Sequence, residues 1–329
     1  MMRALATTDL SKDYAVGFWR KRPYRALDRL TLGVEAGEVF GFLGPNGAGK
    51  TTTLKLLMRL VSPTSGHAEL LGRPLGDREA RRRIGYLPEN PYFYDYLTAE
   101  ELLQYFAGLF GYAPAERRAR ATRLLDEVGI GAERRLQLRK FSKGMLQRVG
   151  IAQALVNDPD LVILDEPMSG LDPLGRRDVR ALILRLRDRG STVFFSSHVL
   201  SDAEALCGRV AILAKGRLLT SGRLTEMLAF RTEGWELVAA GVSETALRGL
   251  AAHILRAVPI ADGRYAFEIP AHASIDRLLH ALTVSGASIV SFNPVRRTLE
   301  DLFVQEVTAP EVAAATRGLE DVAAGGRKR

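Results

Sequence analysis

The stretch Gly44-Pro45-Asn46-Gly47-Ala48-Gly49-Lys50-Thr51 constrains this chain more than any other feature: it has the form G-x-x-x-x-G-K-T and joins two segments of different periodicity. Before it runs Val39-Phe40-Gly41-Phe42-Leu43, an apolar strand, and after it Thr52-Thr53-Leu54-Lys55-Leu56-Leu57, a helical pattern. A glycine-rich turn in that setting aims successive backbone N–H groups inward, where they cradle phosphate oxygens. Lys50 then reaches the terminal phosphates, and the Thr51 hydroxyl is positioned to ligate Mg²⁺. A Gly-rich turn with no ligand would leave the flanking strand and helix as coincidence.

With 329 residues, 47% hydrophobic and 26% charged, the chain is long enough for more than one core, and two domains are expected. Cys207 is the single cysteine and cannot form an internal disulfide. The N-terminus joins no basic stretch to an apolar signal core, so a reducing cytosol is the expected compartment. No stretch approaches the roughly 18 uninterrupted apolar residues that span a bilayer, so any membrane part of the work falls to another chain. The net charge of +8 favours an anionic partner: nucleotide, the inner leaflet or nucleic acid. Charge alone does not choose among them.

Strand-like and helix-like segments alternate over the first 230 residues or so, which predicts an α/β fold with helices covering a largely parallel sheet. Leu161-Val162-Ile163-Leu164 and Thr192-Val193-Phe194-Phe195-Ser196 are too continuously apolar for half-exposed strands. A helix-rich stretch at about 90–155 reads as an inserted helical subdomain, making 1–232 one domain. From 233 to 307 the elements shorten into a small α+β accessory domain: strands at 235–242, 265–269 and 288–292, helices at 245–257, 275–285 and 298–307. Residues 308–329, Ala- and Gly-rich and closing on Arg327-Lys328-Arg329, read as a disordered basic tail.

A phosphate loop needs a partner that holds metal and activates water, and Leu161-Val162-Ile163-Leu164-Asp165-Glu166 has the form: a buried strand with two carboxylates at its exposed end. Asp165 can enter the Mg²⁺ shell, and Glu166 can accept a proton from a water lined up behind a γ-phosphate. Three further segments follow in order: Phe141-Ser142-Lys143-Gly144-Met145-Leu146-Gln147-Arg148, Ser169-Gly170-Leu171-Asp172 and Ser196-Ser197-His198. With these the chain resembles the ATP-binding subunits of ABC transporters over roughly residues 5–225, the first segment resembling the signature L-S-G-G-Q-x-Q-R.

The resemblance implies ATP and Mg²⁺ as ligands and a head-to-tail pair of cassettes in which the phosphate loop of one faces the signature of the other. Ser142 and the Gly144 N–H would then meet the γ-phosphate of the opposite nucleotide, Asp172 would help fix the dimer contact, and His198 would hydrogen-bond the γ-phosphate. A single cassette has to pair with itself or a relative. Adenine is expected to stack on an aromatic residue upstream of the loop; Tyr14 matches best, with Phe18 and Tyr24 as rivals. His67, His253, His272 and His280 show no metal-ligand grouping.

Two motifs depart from the usual pattern. Glu89, after Pro88, stands where a Gln normally senses Mg²⁺ and water, and Lys143 and Met145 replace Gly and Gln in the signature. Both departures, and the ending Thr298-Leu299-Glu300-Asp301-Leu302-Phe303, resemble the drug-resistance and lipid or polysaccharide export ATPases whose permease is a separate chain. The expected function is thus an ATP-hydrolysing motor at the cytoplasmic face of the membrane, driving export through that permease, with no nucleic acid as partner. The alternative is a soluble ABC ATPase acting on ribosomes or nucleic acid, which usually carries fused cassettes or a long coiled-coil arm. Tyr92, Phe93, Tyr94 and Tyr96 follow Glu89 on a Pro-containing loop and suit either packing on the helical subdomain or a groove for a permease helix.

Overall fold

The computed structural model describes residues 3–17, 22–228, 232–251, 253–260, 263–296 and 298–303. Phe18, the expected helix beyond 303 and the expected tail at 308–329 lie outside the described residues. The chain forms two compact units, Met1–Leu224 and Thr225–Arg329.

In the first unit the strands are β1 (Arg3–Val16), β2 (Arg22–Glu35), β3 (Val39–Leu43), β4 (Ser65–Leu70), β5 (Arg73–Pro74) and β6 (Ile84–Leu87). They continue with β7 (Leu161–Asp165), β8 (Thr192–Ser197), β9 (Arg209–Ala214) and β10 (Arg217–Arg223). Its helices are α1 (Lys50–Leu57), α2 (Arg78–Arg82), α3 (Ala99–Leu109), α4 (Pro114–Glu127), α5 (Lys143–Ala154), α6 (Pro173–Asp188) and α7 (Leu200–Leu206).

Two sheets result. One has the order β10-β9-β3-β8-β7-β6, parallel from β9 to β6 with β10 antiparallel on the edge. The other, β2-β1-β4-β5, is antiparallel and does not follow from the βα alternation read in the sequence. Every residue of β3, β7 and β8 is buried, because both faces of the parallel sheet are covered. Phe40, Phe42, Ile163 and Phe194 share a core with Leu54, Leu56 and Leu57 of α1 and with Leu5, Leu10 and Leu27 of the antiparallel sheet. Phe194 stacks on Phe40 at 5.8 Å and lies 5.3 Å from Phe42, so Phe194→Ala would cost about 3–5 kcal/mol. On the opposite face Gly41 lies against Ala203 and Cys207, at the end of α7.

Between β6 and β7 come α3, α4 and α5, the helix-rich stretch expected from the sequence. α3 starts on a capping box, with the Glu101 amide bound to the Thr98 hydroxyl and the Glu101 carboxylate bound to the Thr98 amide.

The second unit runs β11 (Thr232–Ala240), a helix Glu244–Leu250, β12 (Arg256–Ile260), β13 (Arg264–Pro270), a helix Ile275–Val284 and β14 (Ser288–Arg296). Its antiparallel sheet has the order β12-β13-β11-β14, the β-α-β-β-α-β arrangement of ferredoxin-like folds. Leu237, Ala239, Phe267 and Ile269 face Leu250, Leu278 and Leu282 of the two helices. The helix expected at 245–257 ends instead at Leu250, and residues 256–260 form β12. Val258 and Ile260 favour a pleated surface, and Pro259 is tolerated there because β12 is an edge strand.

Candidate functional site

Strand order creates the site. β3, β8 and β7 lie side by side and parallel, with Leu43 opposite Ser197 and Asp165 opposite Ser196, so the loops leaving their carboxyl ends emerge together. The turn after β3 carries Gly44 to Thr51, the end of β7 carries Asp165 and Glu166, and His198 directly follows β8. Residues more than a hundred positions apart in the chain become neighbours.

The phosphate loop needs its glycines for space as well as for torsion. Gly44 has φ +156, and a Cβ there would sit 2.2 Å from the Leu213 carbonyl oxygen; Gly49 has φ +105 and would place a Cβ 2.6 Å from the Ala26 carbonyl oxygen. Lys50, the first residue of α1, is buried and donates to the carbonyls of Gly44 (2.7 Å) and Pro45 (3.3 Å). Its Nζ lies 3.3 Å from Glu166 Oε1. The cation is thereby held over the loop instead of extending into solvent.

Glu166 is the hub. Its backbone is left-handed at φ +51, its side chain is buried, and its Oε2 lies 2.8 Å from Nδ1 of the half-exposed His198. Two groups that sequence reasoning did not single out hold this turn. The Gln147 amide of α5 donates to the carbonyls of Glu166 (3.3 Å) and Pro167 (3.2 Å). The Ser196 hydroxyl accepts from the Glu166 N–H (3.0 Å) and donates to Asp165 Oδ1 (2.6 Å). In the sequence Ser196 was marked by its place at the end of an apolar strand and by the segment it opens, Ser196-Ser197-His198, with no role assigned to its own hydroxyl.

Burial raises the Asp165 pKa above its ordinary value of 3.8, opposed by the Ser196 hydrogen bond and then by the nearby Thr51 hydroxyl, and reinforced by the charges of Glu89 and Glu166. The same burial, with Asp165 nearby, pushes Tyr86 up to about 12. Asp165 Oδ2 is buried and makes no hydrogen bond to any described residue within bonding geometry. A buried carboxylate oxygen near the Thr51 hydroxyl and the Glu89 carboxylate is a hard-oxygen donor set that suits Mg²⁺. No group of three or more His, Cys, Asp or Glu side chains forms a protein cage among the described residues.

One cleft of about 410 Å³ gathers Tyr14, Tyr24, Pro45, Asn46, Gly47, Ala48, Gly49, Lys50, Thr51, Thr52, Glu89 and Glu166. Tyr14 and Tyr24 are cross-strand partners, so both of the described aromatic candidates flank the loop. Lys12 Nζ lies 5.0 Å over the Tyr14 ring.

Ser142, Gly144 and Asp172 line a different cleft, of about 520 Å³. Ser142 caps α5 through its hydroxyl (3.2 Å from the Met145 N–H), and Asp172 caps α6 (2.9 Å from the Gly175 N–H). Within one chain, then, the phosphate loop and the signature do not share a pocket. The aromatic loop divides its roles: Phe93 packs beside Gly150 of α5, whereas Tyr92 is 98% exposed and Tyr94 and Tyr96 are also exposed, 5.9 Å apart. No described helix is long and apolar enough to cross a membrane.

Comparison with known proteins gives the following. The family model described as ABC transporter matches residues 27–169. An uncharacterised ABC transporter ATP-binding protein of Synechocystis sp. is 48% identical over 92% of this chain and 84% of its own length. The Nod factor export ATP-binding protein I of Cupriavidus metallidurans is 38% identical over 61% of this chain and 67% of its own. Among solved structures, a dimeric post-hydrolysis ATP-binding cassette bound to ADP and Pi aligns with TM-score 0.62 and 25% identity, covering 67% of this chain and 98% of that one.

Proposed function

The chain belongs to the ATP-binding proteins of ABC transporters, and from that premise we propose that it is the ATP-hydrolysing motor of an exporter whose permease is a separate polypeptide at the membrane. The observation that carries this reading is the separation of two half-sites: Lys50 and Glu166 line one cleft, Ser142 and Gly144 the other. A complete site forms when two cassettes stack head to tail, with this chain or a relative as the second copy.

In that arrangement the loop amides and Lys50 hold the β- and γ-phosphates, and Tyr14 or Tyr24 stacks on adenine. Thr51, Asp165 and Glu89 would hold Mg²⁺, which supplies neutralisation of charge on the phosphate oxygens. Glu166 takes the proton of the attacking water as its oxygen bonds to the γ-phosphorus and the bond to the bridging oxygen breaks, leaving ADP and phosphate. His198, bonded to the Glu166 carboxylate, orients it and contacts the γ-phosphate. Ser196 and Gln147 act through Glu166 and Asp165 as positioning residues. Across the interface Ser142, the Gly144 N–H and the start of α5 complete the cradle, and Asp172 fixes the contact between copies.

Closure of two such sites on ATP, and release after hydrolysis, supplies the motion. The exposed rings Tyr92, Tyr94 and Tyr96 are the surface that meets the permease on the cytoplasmic side. The rival reading, a soluble ATPase on ribosomes or nucleic acid, finds no long arm: α6, the longest of the described helices, has 16 residues. Retrieval of tagged Glu166→Gln from detergent-solubilised membranes with ATP tests the proposal. A polytopic membrane protein in stoichiometric amount is expected. Recovery from the soluble fraction alone, with ribosomes or nucleic acid attached, would overturn it.

A further inference from the structure

His198 sits at a joint: β8 ends at Ser197 and α7 begins at Leu200. Its half-exposed ring meets Glu166, with Nδ1 2.8 Å from Oε2. On the strand side the chain is fixed through Ser197, whose hydroxyl accepts from the Val199 N–H (2.9 Å) and whose carbonyl accepts from the Gly44 N–H (3.3 Å). On the helix side no side chain caps α7. Where the ring points therefore depends on how α7 itself is seated.

Two contacts seat this helix, and they differ in kind. Toward β3 the approach is close and apolar: a Cβ on Gly41 would come 2.9 Å from Cys207 Sγ and 3.4 Å from the Ala203 Cβ. Attraction between apolar groups is non-directional, so it presses the helix on the strand without fixing its rotation. Toward α6 the contact is ionic. Asp202, only 1% exposed, accepts at Oδ1 from both Nε (3.2 Å) and Nη2 of Arg180. All the other buried residues of the two helices are apolar. A carboxylate withdrawn from water adds little stability over apolar packing, but a planar guanidinium binds it in a defined orientation. The pair fixes what apolar contact leaves free.

We propose that Asp202 and Arg180 are positioning residues for His198, their ion pair setting the first turn of α7 so that the imidazole meets the Glu166 carboxylate. The inference rests on the roles given above to Glu166 and His198 and adds two residues to them. Neither Asp202 nor Arg180 lines the cleft of the phosphate loop, so both act through the histidine.

The test is a double-mutant cycle on ATP turnover in the full chain, with Asp202→Asn made both in the parent and in His198→Ala, and with circular dichroism checking that each variant is folded. His198→Ala alone is expected to lower kcat about a hundredfold. Asp202→Asn is expected to lower kcat about tenfold or more, with KM for ATP within about twofold of the parent. In His198→Ala the same substitution should cost less than about twofold, because the group it positions is already gone. Arg180→Gln should repeat both results, and it carries the test if Asp202→Asn does not fold, since Arg180 is 33% exposed. Arg180→Lys, which keeps the charge, should retain more turnover than Arg180→Gln. An equal fold-loss in both backgrounds would overturn action through His198 and leave only a packing role, with the reading of the site intact. Unchanged kcat in folded Asp202→Asn and Arg180→Gln would overturn the positioning role outright. Unchanged turnover in His198→Ala would overturn the role of His198 itself, and this proposal with it.

Discussion

Replacing Ser196 by alanine removes one hydroxyl that serves two buried groups at once, accepting from the Glu166 N–H at 3.0 Å and donating to Asp165 Oδ1 at 2.6 Å. Ser196 and Asp165 are wholly buried and Glu166 nearly so, so no bulk water replaces the lost partner. A hydrogen bond to a charged acceptor contributes about 1.5–3 kcal/mol, and an orphaned buried N–H costs about 1–3 kcal/mol. Because both effects fall on one turn they do not add fully, and a net loss of about 2–4 kcal/mol is expected. For a unit of this size that lowers the melting temperature by roughly 5–15 °C, read by circular dichroism on the full chain. The loss also depends on pH. Burial raises the folded-state pKa of Asp165, so its penalty is absent in acid and complete once the pH exceeds the folded value; the Ser196 bond reduces that penalty. Ser196→Ala therefore costs most at neutral pH and progressively less as the pH falls through the folded pKa of Asp165. ATP turnover should fall with stability, since both carboxylates lose alignment. A melting temperature within about 1 °C of the parent, with unchanged turnover, would refute the bridging role.

Glu166→Gln should keep ATP binding while turnover drops on the order of 10²-fold or more, as measured by phosphate release; unchanged turnover would remove Glu166 as the base. Glu101→Ala should destabilise the protein at neutral pH by about 0.5 kcal/mol, discounted for solvent exposure of the capping box. Bonds from the Thr98 amide and hydroxyl hold the Glu101 pKa below 4.5, so this contribution is present above the unfolded-state value and lost as the pH falls through the folded one; urea titrations at neutral and acidic pH should show the parent-to-variant gap close in acid. Cys207 is buried against Gly41 and its thiol is pushed up by burial, then by the charge of Glu38, so a thiol reagent should modify it only on unfolding. Rapid labelling of the native protein would contradict that packing.

Local features were legible before any coordinates. The turn from Gly44 to Thr51 follows from residue type and spacing because a phosphate cradle is made by consecutive backbone amides, and the carboxylates at the end of β7 stand out against an apolar strand. Element boundaries were less legible. The helical periodicity of 245–257 ran through residues that β13 recruits as an edge strand, and local pattern does not show which segment a neighbouring strand will bind. The antiparallel sheet of β1, β2, β4 and β5 was missed for the same reason, since its pairings are long-range.

Gln147 and Ser196 were named only within longer segments and given no role of their own, because their importance lies in contacts 19 to 31 residues away, set by the order β3-β8-β7 and by where α5 packs. The amino-acid sequence alone determined the chemistry, a phosphate loop with its lysine and a pair of carboxylates, because each is written in contiguous residues. Tertiary structure alone decided that the loop, Lys50 and Glu166 converge on one cleft while Ser142, Lys143 and Gly144 line another. Convergence depends on strand order, and strand order is set by burying Phe40, Phe42 and Phe194 in a common core and not by any local preference of the chain.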